Sequence, residues 1–227
     1  MSIVSVRGLS RDYEQGVHTV HALRSVDLDI EPGEFTVLMG PSGSGKSTLL
    51  NLIGGLDQPT AGSVKIEGAD LAQMTPAARS DLRRDRLGFV FQAYNLIPVL
   101  TAAENAEFVL QLQGQTSADR RKRAFETLAA VGLEGMEDRR PHEMSGGQQQ
   151  RVAVARAIAA DPALVLADEP TANLDSTTSD ELIATMKKLN SELGVTFVFA
   201  THDPKVMDAA QRVIRLVDGE IAEDIRK

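Results

Sequence analysis

Cysteine and tryptophan are absent from this chain, and only two of its 227 residues are tyrosine. Without cysteine, neither disulfide bonds nor cysteine-ligated metal sites are possible. No apolar run approaches the roughly 18–20 residues that a membrane-spanning helix needs. The residues after Met1 also lack the basic start and the apolar core of a signal peptide. We therefore expect a cytoplasmic protein, which leaves open whether it docks on a membrane protein.

Basic residues are also in short supply, because 24 lysines and arginines face 32 aspartates and glutamates, giving a net charge of −8. Broad binding of nucleic acid depends on basic side chains that neutralise phosphates, so this balance disfavours it without excluding a local patch. One basic run, residues 120–123, is flanked by Asp119 and Glu126 and is most simply a solvated helix face. We expect no nucleic-acid partner.

The most informative stretch is residues 35–53, where an apolar run ends in a glycine-rich turn that opens into a segment of helical spacing. The turn fits the phosphate-loop pattern G-x-x-x-x-G-K-[ST], in which backbone N–H groups and a helix N-terminus face phosphate oxygens. A plain Gly/Ser turn needs neither Lys46, which can reach the outer phosphates, nor Ser47, which can hold magnesium. The stretch therefore predicts nucleoside triphosphate binding by Gly40, Pro41, Ser42, Gly43, Ser44, Gly45, Lys46, Ser47 and Thr48.

A second apolar run, residues 164–167, ends in Asp168 and Glu169. Such a run predicts a buried parallel strand, and ligands of open α/β sheets bind at the carboxyl ends of the strands. Asp168 is placed to organise magnesium and Glu169 to polarise an attacking water. The alternative, two solvated acids at a strand end, fits poorly after so apolar a strand.

Two other predicted strands end in polar residues. Residues 195–200 lead to His202, which could contact the terminal phosphate at the same sheet edge, although a lone histidine is usually structural. Residues 88–91 lead to Gln92, which taken alone is an ordinary polar strand end. The final hairpin is predicted from Asp218-Gly219 between two apolar runs.

Two features lie outside these strands. Tyr13 stands between predicted strands at residues 3–6 and 26–30, where it could stack on a nucleotide base or pack at a loop edge. From about residue 95 to residue 160 the pattern is helical, with helices predicted at 101–113 and 117–131. Within this part, Ser145, Gly146, Gly147 and Gln148 precede a helix, as a second anion-binding terminus or as a plain cap.

The ordered set of these motifs, with Asn173-Leu174-Asp175, resembles the ATP-binding-cassette (ABC) ATPases over essentially the whole chain. Residues 54–57, 144–151 and 167–171 look most like one branch. That branch includes the ATPases of macrolide exporters, lipoprotein-release systems and a cell-division peptidoglycan regulator. Two departures are visible, since Met144 stands in place of leucine and Ala172 in place of glycine. The second would be strained if that position needed a positive φ.

The resemblance implies an α/β fold, with a P-loop NTPase (RecA-like) core, an N-terminal antiparallel β subdomain and an inserted α-helical subdomain. It implies one nucleotide-binding domain over residues 1–227. The core with its β subdomain would comprise about 1–94 and 162–227, and the helical subdomain about 95–161.

The resemblance also implies ATP and Mg²⁺ as cofactors and assigns a role to each motif. Tyr13 would stack on adenine, while Ser47, Gln92 and Asp168 would serve magnesium, the last through water. Catalysis would fall to Glu169 as general base, with His202 and Lys46. The signature would close over ATP held by the opposite subunit of a homodimer or heterodimer; it comprises Ser145, Gly146, Gly147 and Gln148. Through residues 173–175, each subunit would sense the nucleotide site of the other.

The implied function is the ATP-hydrolysing subunit of an ABC transporter, peripheral on the cytoplasmic face of the plasma (inner) membrane. It would power export or transmembrane force transmission through a separate integral membrane subunit. The first alternative is an ATP-dependent regulator of a cell-envelope or cell-division partner without solute transport. A soluble ABC ATPase of DNA repair or translation is less favoured, because those chains generally carry long insertions, zinc sites or tandem cassettes.

Overall fold

The strands form two sheets in a computed structural model that describes residues 2–16 and 18–227. Apolar strand sequences with short polar turns favour this arrangement. The strands are β1 (Val4–Gln15), β2 (His18–Ile30), β3 (Phe35–Met39), β4 (Ala61–Ile66), β5 (Ala69–Asp70), β6 (Leu87–Phe91), β7 (Leu164–Asp168), β8 (Thr196–Ala200), β9 (Arg212–Val217) and β10 (Glu220–Arg226). One sheet has the order β2-β1-β4-β5 and the other the order β10-β9-β3-β8-β7-β6.

The six-stranded sheet is parallel from β9 through β6, and its last strand, β10, pairs antiparallel with β9. Residues of β8 are buried throughout, as expected for a strand covered on both faces. The β9–β10 hairpin turns at Asp218 and Gly219, both with positive φ, which confirms the predicted hairpin. The four-stranded sheet is antiparallel, and its strands supply part of one of two apolar cores.

Helices cover the sheets; they are α1 (Lys46–Ile53), α2 (Pro76–Arg86), α3 (Ala102–Leu112), α4 (Ser117–Ala130), α5 (Gly146–Ala159), α6 (Ser176–Leu193) and α7 (Pro204–Ala209). Helix α1 packs its apolar side chains into the core that includes the four-stranded sheet. The other apolar core joins the opposite face of the six-stranded sheet to helices α3, α4, α5 and α6. Among the described residues, no helix has the length and apolar character needed to cross a membrane.

Most elements agree with the sequence predictions, including α3, α4 and the strands that precede Gln92, Asp168 and His202. The prediction that Tyr13 lies between two strands is wrong, because β1 continues to Gln15 and Tyr13 pairs with Val20 of β2. Register shifts between Val6 and Asp12 interrupt the regular alternation that identifies a strand. Helices α2, α6 and α7 were not predicted.

Candidate functional site

The loop between β3 and α1 needs glycine at positions 40 and 45, where a side chain would collide with neighbouring backbone. Gly45 has a φ of 99°, and a Cβ there would approach the carbonyl oxygen of Ala22 to 2.5 Å. Lys46 is buried, with only 9% of its surface exposed. Its Nζ donates to the carbonyls of Gly40 (2.8 Å) and Pro41 (3.0 Å). The ammonium group is therefore held within the curl of the loop.

Asp168 joins this loop to the edge of the six-stranded sheet. The Ser47 hydroxyl donates to its Oδ1 at 2.9 Å. In the sheet Asp168 lies beside Phe91 and Ala200, so β6, β7 and β8 end at the same edge. Burial raises the pKa of Asp168, and the charge of Glu169 adds to the rise, while the Ser47 hydrogen bond and the Lys46 charge oppose it. The site thus holds a carboxylate where solvation is poor.

Glu169 leaves the strand in the left-handed conformation, with a φ of 47°, and its N–H donates to Ala200 at 2.8 Å. Its Oε2 accepts from the Thr201 hydroxyl (3.0 Å) and its Oε1 lies 2.7 Å from His202 Nδ1. A non-glycine residue in this region is strained, and such strain concentrates at functional sites. The structure therefore brings the predicted base, Glu169, into direct contact with His202, the other predicted catalytic residue at this strand edge.

Gln92 lies across the same edge. Its carbonyl accepts from Asn173 Nδ2 at 3.0 Å, and its Nε2 lies 3.4 Å from Asn173 Oδ1. The two loops after β6 and after Glu169 are linked through this pair. Ala172 is not among the residues with positive φ, so the strain considered for alanine at this position does not arise.

The phosphate-loop residues, Gln92, Glu169 and His202 line a cavity of about 670 Å³. Tyr13 stands at its wall, where its hydroxyl donates to Asp57 at 2.7 Å and the Arg11 guanidinium lies 4.4 Å from its ring centre. Arg11 also bonds both oxygens of Asp57. The lining comprises Tyr13, Val20, Ala22, Gly40, Pro41, Ser42, Gly43, Ser44, Gly45, Lys46, Ser47, Thr48, Gln92, Glu169, Ala172 and His202.

The cavity suits a nucleoside triphosphate with a hard cation. The buried Ser44 hydroxyl has no hydrogen-bond partner among the described residues, which leaves it available to a phosphate oxygen. Ser47 and Asp168 present the hydroxyl and carboxylate oxygens that Mg²⁺ prefers, beside phosphates that would complete its shell. Over the same described residues, no group of three or more histidines, aspartates or glutamates forms a dedicated protein metal site.

The predicted signature residues do not join this cavity. Ser145 caps α5 by accepting from the Gln148 N–H (3.3 Å), and Gln148 Oε1 accepts from the Ser145 N–H (3.0 Å). Ser145 is exposed, and Gly147 packs so closely on α6 that a Cβ would collide with the Thr178 methyl group. The structure therefore separates Ser145, Gly146, Gly147 and Gln148 from the other predicted site residues.

Sequence reasoning missed Arg11, Asp57 and Thr201. Arg11 and Asp57 are far apart in the chain and meet because β1 runs beside the turn that follows α1, where the Thr60 N–H donates to the Ser10 carbonyl. Thr201 adjoins His202 and could have been included with it, since it belongs to the same strand end.

The comparisons with known proteins decide the family. The family model described as ABC transporter matches residues 23–172. This chain belongs to the ABC transporter family. The lipoprotein-releasing system ATP-binding protein LolD of Anaeromyxobacter dehalogenans is 47% identical over 97% of this chain and 93% of its own. This chain is thus similar over nearly its whole length to a lipoprotein-releasing system ATP-binding protein.

The chain is also similar to a macrolide export protein and to a solved ATP-binding cassette. The macrolide export ATP-binding/permease protein MacB of Mannheimia succiniciproducens is 44% identical over all of this chain, which spans only 35% of that protein. The chain thus spans about a third of the length of the macrolide export proteins it matches. The dimeric post-hydrolysis structure of the ATP-binding cassette MJ0796 bound to ADP and Pi aligns with a TM-score of 0.90, 45% identity and 98% coverage of both chains.

Proposed function

We propose that this ABC ATPase is the ATP-hydrolysing subunit of a complex in which a separate integral membrane subunit performs export or transmembrane force transmission. Lipoprotein release and macrolide or peptide efflux are the favoured types. The subunit would lie on the cytoplasmic face of the inner membrane. The observation that carries the proposal is the convergence of Lys46, Glu169 and His202 on one cavity, while the signature lies outside it. Asp168 adjoins the cavity through its hydrogen bond with Ser47, which lines it.

That separation supports a dimer in which two ATP molecules lie between subunits. A signature outside its own chain's cavity can serve only a nucleotide held by another subunit, so a head-to-tail pair supplies each site with both halves. The dimeric structures of MJ0796, to which this chain is similar over 98% of its length, support the same arrangement. A homodimer satisfies it, and so does a heterodimer with a second ATPase.

The residues present account for hydrolysis in steps. The amides of the phosphate loop and Lys46 hold the phosphates, and the ring of Tyr13 stacks on the adenine base. Glu169 takes a proton from the attacking water, while His202 and Thr201 hold its carboxylate in place. Amides of the other subunit's signature helix add to the positive field at the γ-phosphate, where charge spreads in the transition state.

In this proposal, the residues that would hold magnesium are Ser47, Gln92 and Asp168. An ion held there would supply positive charge to offset the charge of the phosphates. Asp168 already accepts a hydrogen bond from Ser47, so the two groups stand together. Gln92, bonded to Asn173, would connect this corner to the loop after Glu169.

Replacing Glu169 with glutamine tests the assignment of the base. Glu169→Gln keeps the shape of the side chain and removes its basicity, so we expect turnover to fall by about a hundredfold or more while ATP binding persists and the dimer is trapped. Glu192→Gln, on the exposed end of α6, makes the same charge change far from the cavity and serves as the control. Normal hydrolysis by Glu169→Gln would show that another group is the base.

The partner is identified by recovering what the trapped dimer binds. Tagged Glu169→Gln protein with ATP and magnesium is mixed with detergent-solubilised membranes and purified. A membrane protein with few spans and a large extracytoplasmic domain is the expected product. A partner with many spans would favour a conventional transporter, and recovery of only soluble or nucleic-acid-bound proteins would refute the membrane assignment.

A further inference from the structure

Gln150 is a fully buried amide on the helix that begins with the signature, and it touches both catalytic loops of its own subunit. Its Nε2 donates to the Pro170 carbonyl at 2.7 Å and to the Phe91 carbonyl at 3.3 Å. Pro170 directly follows Glu169, and Phe91 directly precedes Gln92. One side chain therefore connects α5 with the loop of the base and with the loop of the magnesium-linked glutamine.

The acceptor side of the same amide has no partner. Gln150 Oε1 is buried and makes no hydrogen bond within the described part of the chain. An unsatisfied buried acceptor destabilises a fold, and its presence in a native protein calls for an explanation. An apolar side chain of similar length would avoid that cost but could not hold the two carbonyls. The donor contacts are thus a reason for an amide here.

A second residue of α5 holds the far side of the Gln92 loop. Arg156 donates to the carbonyls of Tyr94 (3.0 Å) and Asn95 (2.6 Å), and both of these residues have positive φ. The loop after β6 is therefore fixed to α5 before and after Gln92. Of these two braces, Gln150 is the one that also reaches the loop after Glu169.

We propose that Gln150 is a positioning residue that couples the signature of each subunit to that subunit's own nucleotide site. The inference rests on the proposed function, because the signature acts on the ATP of the opposite subunit. Movement of Gln92 or Glu169 on a change of nucleotide is transmitted through the amide to α5, and so to the other site. Two sites joined in this way turn over cooperatively.

The test replaces Gln150 with methionine, which keeps length and apolar volume and removes both donors. The matched control is Asn190→Leu, because Asn190 is also a buried amide that donates to two carbonyls, those of Gly33 and Val195, both 2.8 Å away. These carbonyls precede β3 and β8, at the opposite sheet edge. Both variants lose comparable hydrogen bonds, and only one loses the contact with the catalytic loops.

With ATP and magnesium, we expect Gln150→Met to retain ATP affinity within about twofold and to lose about tenfold or more in kcat, since small displacements of catalytic groups are costly. Its Hill coefficient for ATP should fall from above 1 towards 1. Asn190→Leu should lower the thermal midpoint and leave kcat and the Hill coefficient near the wild-type values. If Gln150→Met does not fold, Gln150→Asn, one methylene shorter, is measured in the same way.

The proposal is overturned if the folded Gln150 variant keeps the wild-type kcat and Hill coefficient, if Asn190→Leu loses them equally, or if the wild-type Hill coefficient is 1. Failure of the proposed function is recognised separately. In that case wild-type protein would hydrolyse ATP no faster than Glu169→Gln, whatever the behaviour of Gln150.

Discussion

Burial raises the pKa of Asp168 above its ordinary value, so the carboxylate proposed to serve magnesium lies where its charged form is poorly solvated. Between the ordinary pKa and the raised one, the folded state binds more protons than the unfolded state. The free energy of unfolding therefore falls as the pH rises through that window, and the penalty is complete above it. Asp168 thus lowers the stability of the protein at neutral pH.

Asp168→Asn should therefore raise the thermal midpoint at neutral pH by a few degrees, because the amide can still accept from Ser47 and carries no charge. The difference should shrink as the pH falls below the raised pKa. Thermal melts across a pH series, in chelator and without nucleotide, measure this directly. A difference that stays constant with pH would show that the effect does not arise from ionisation.

Tyr13 offers a second test at the residue scale, because its contacts separate its ring from its hydroxyl. Tyr13→Ala removes the stacking surface and should weaken ATP binding by roughly tenfold or more, whereas inorganic triphosphate should bind as before. Tyr13→Phe loses only the hydrogen bond to Asp57 and should bind ATP within about threefold of wild type. If Tyr13→Ala lost equal affinity for ATP and for inorganic triphosphate, the adenine base would not stack on Tyr13.

At the scale of elements, the packing of α5 on α6 determines what the signature helix tolerates. Gly147 lies against the Thr178 side chain, and a Cβ at Gly147 would collide with the Thr178 methyl group while remaining about 3.5 Å from its Cβ. The Thr178 hydroxyl and N–H both bond Asp175, which caps α6. Close contact at this point fixes the start of α5 relative to residues 173–175.

We expect Gly147→Ala to retain ATP binding at its own phosphate loop, which lies in a different part of the subunit, and to lose ATP-dependent dimerisation and turnover. Adding Thr178→Ser removes the colliding methyl group and keeps the capping hydroxyl, so the double variant should recover most of both. Size-exclusion chromatography with ATP, in the Glu169→Gln background, measures dimerisation. Failure of Thr178→Ser to restore the dimer would show that the glycine is needed for another reason.

Some elements could be predicted from the sequence, and others depend on contacts between distant segments. Strands that end in Gln92, Asp168 and His202 were predicted because buried parallel strands are continuous apolar runs. The extension of β1 to Tyr13 was missed because register shifts break the alternation. Contacts such as Gln150 with Pro170 depend on packing between distant segments, so local spacing gave no sign of them. The left-handed Glu169 is likewise fixed by its tertiary contacts with Ala200, Thr201 and His202.

At the scale of the whole molecule, the proposed function makes the cavity and the signature two halves of one site, because the signature lies outside the cavity of its own subunit. In a head-to-tail dimer, the phosphate loop of one chain faces the signature of the other. Consider a mixed dimer in which one chain has a defective phosphate loop and the other a defective signature. If each chain used its own signature, each site would contain one defect and both sites would be inactive. The geometry therefore predicts complementation between two inactive variants.

Lys46→Ala removes the phosphate contact and Gly147→Ala disturbs the signature, so each homodimer should have two defective sites. A mixed dimer combines both defects in one site and leaves the other site intact. Random mixing in equal amounts should therefore restore at most about a quarter of the wild-type turnover if sites act independently, and less if they cooperate. Activity of the mixture that never exceeds the mean of the two separate variants would contradict the shared site, whereas recovery would establish that each ATP lies between two chains.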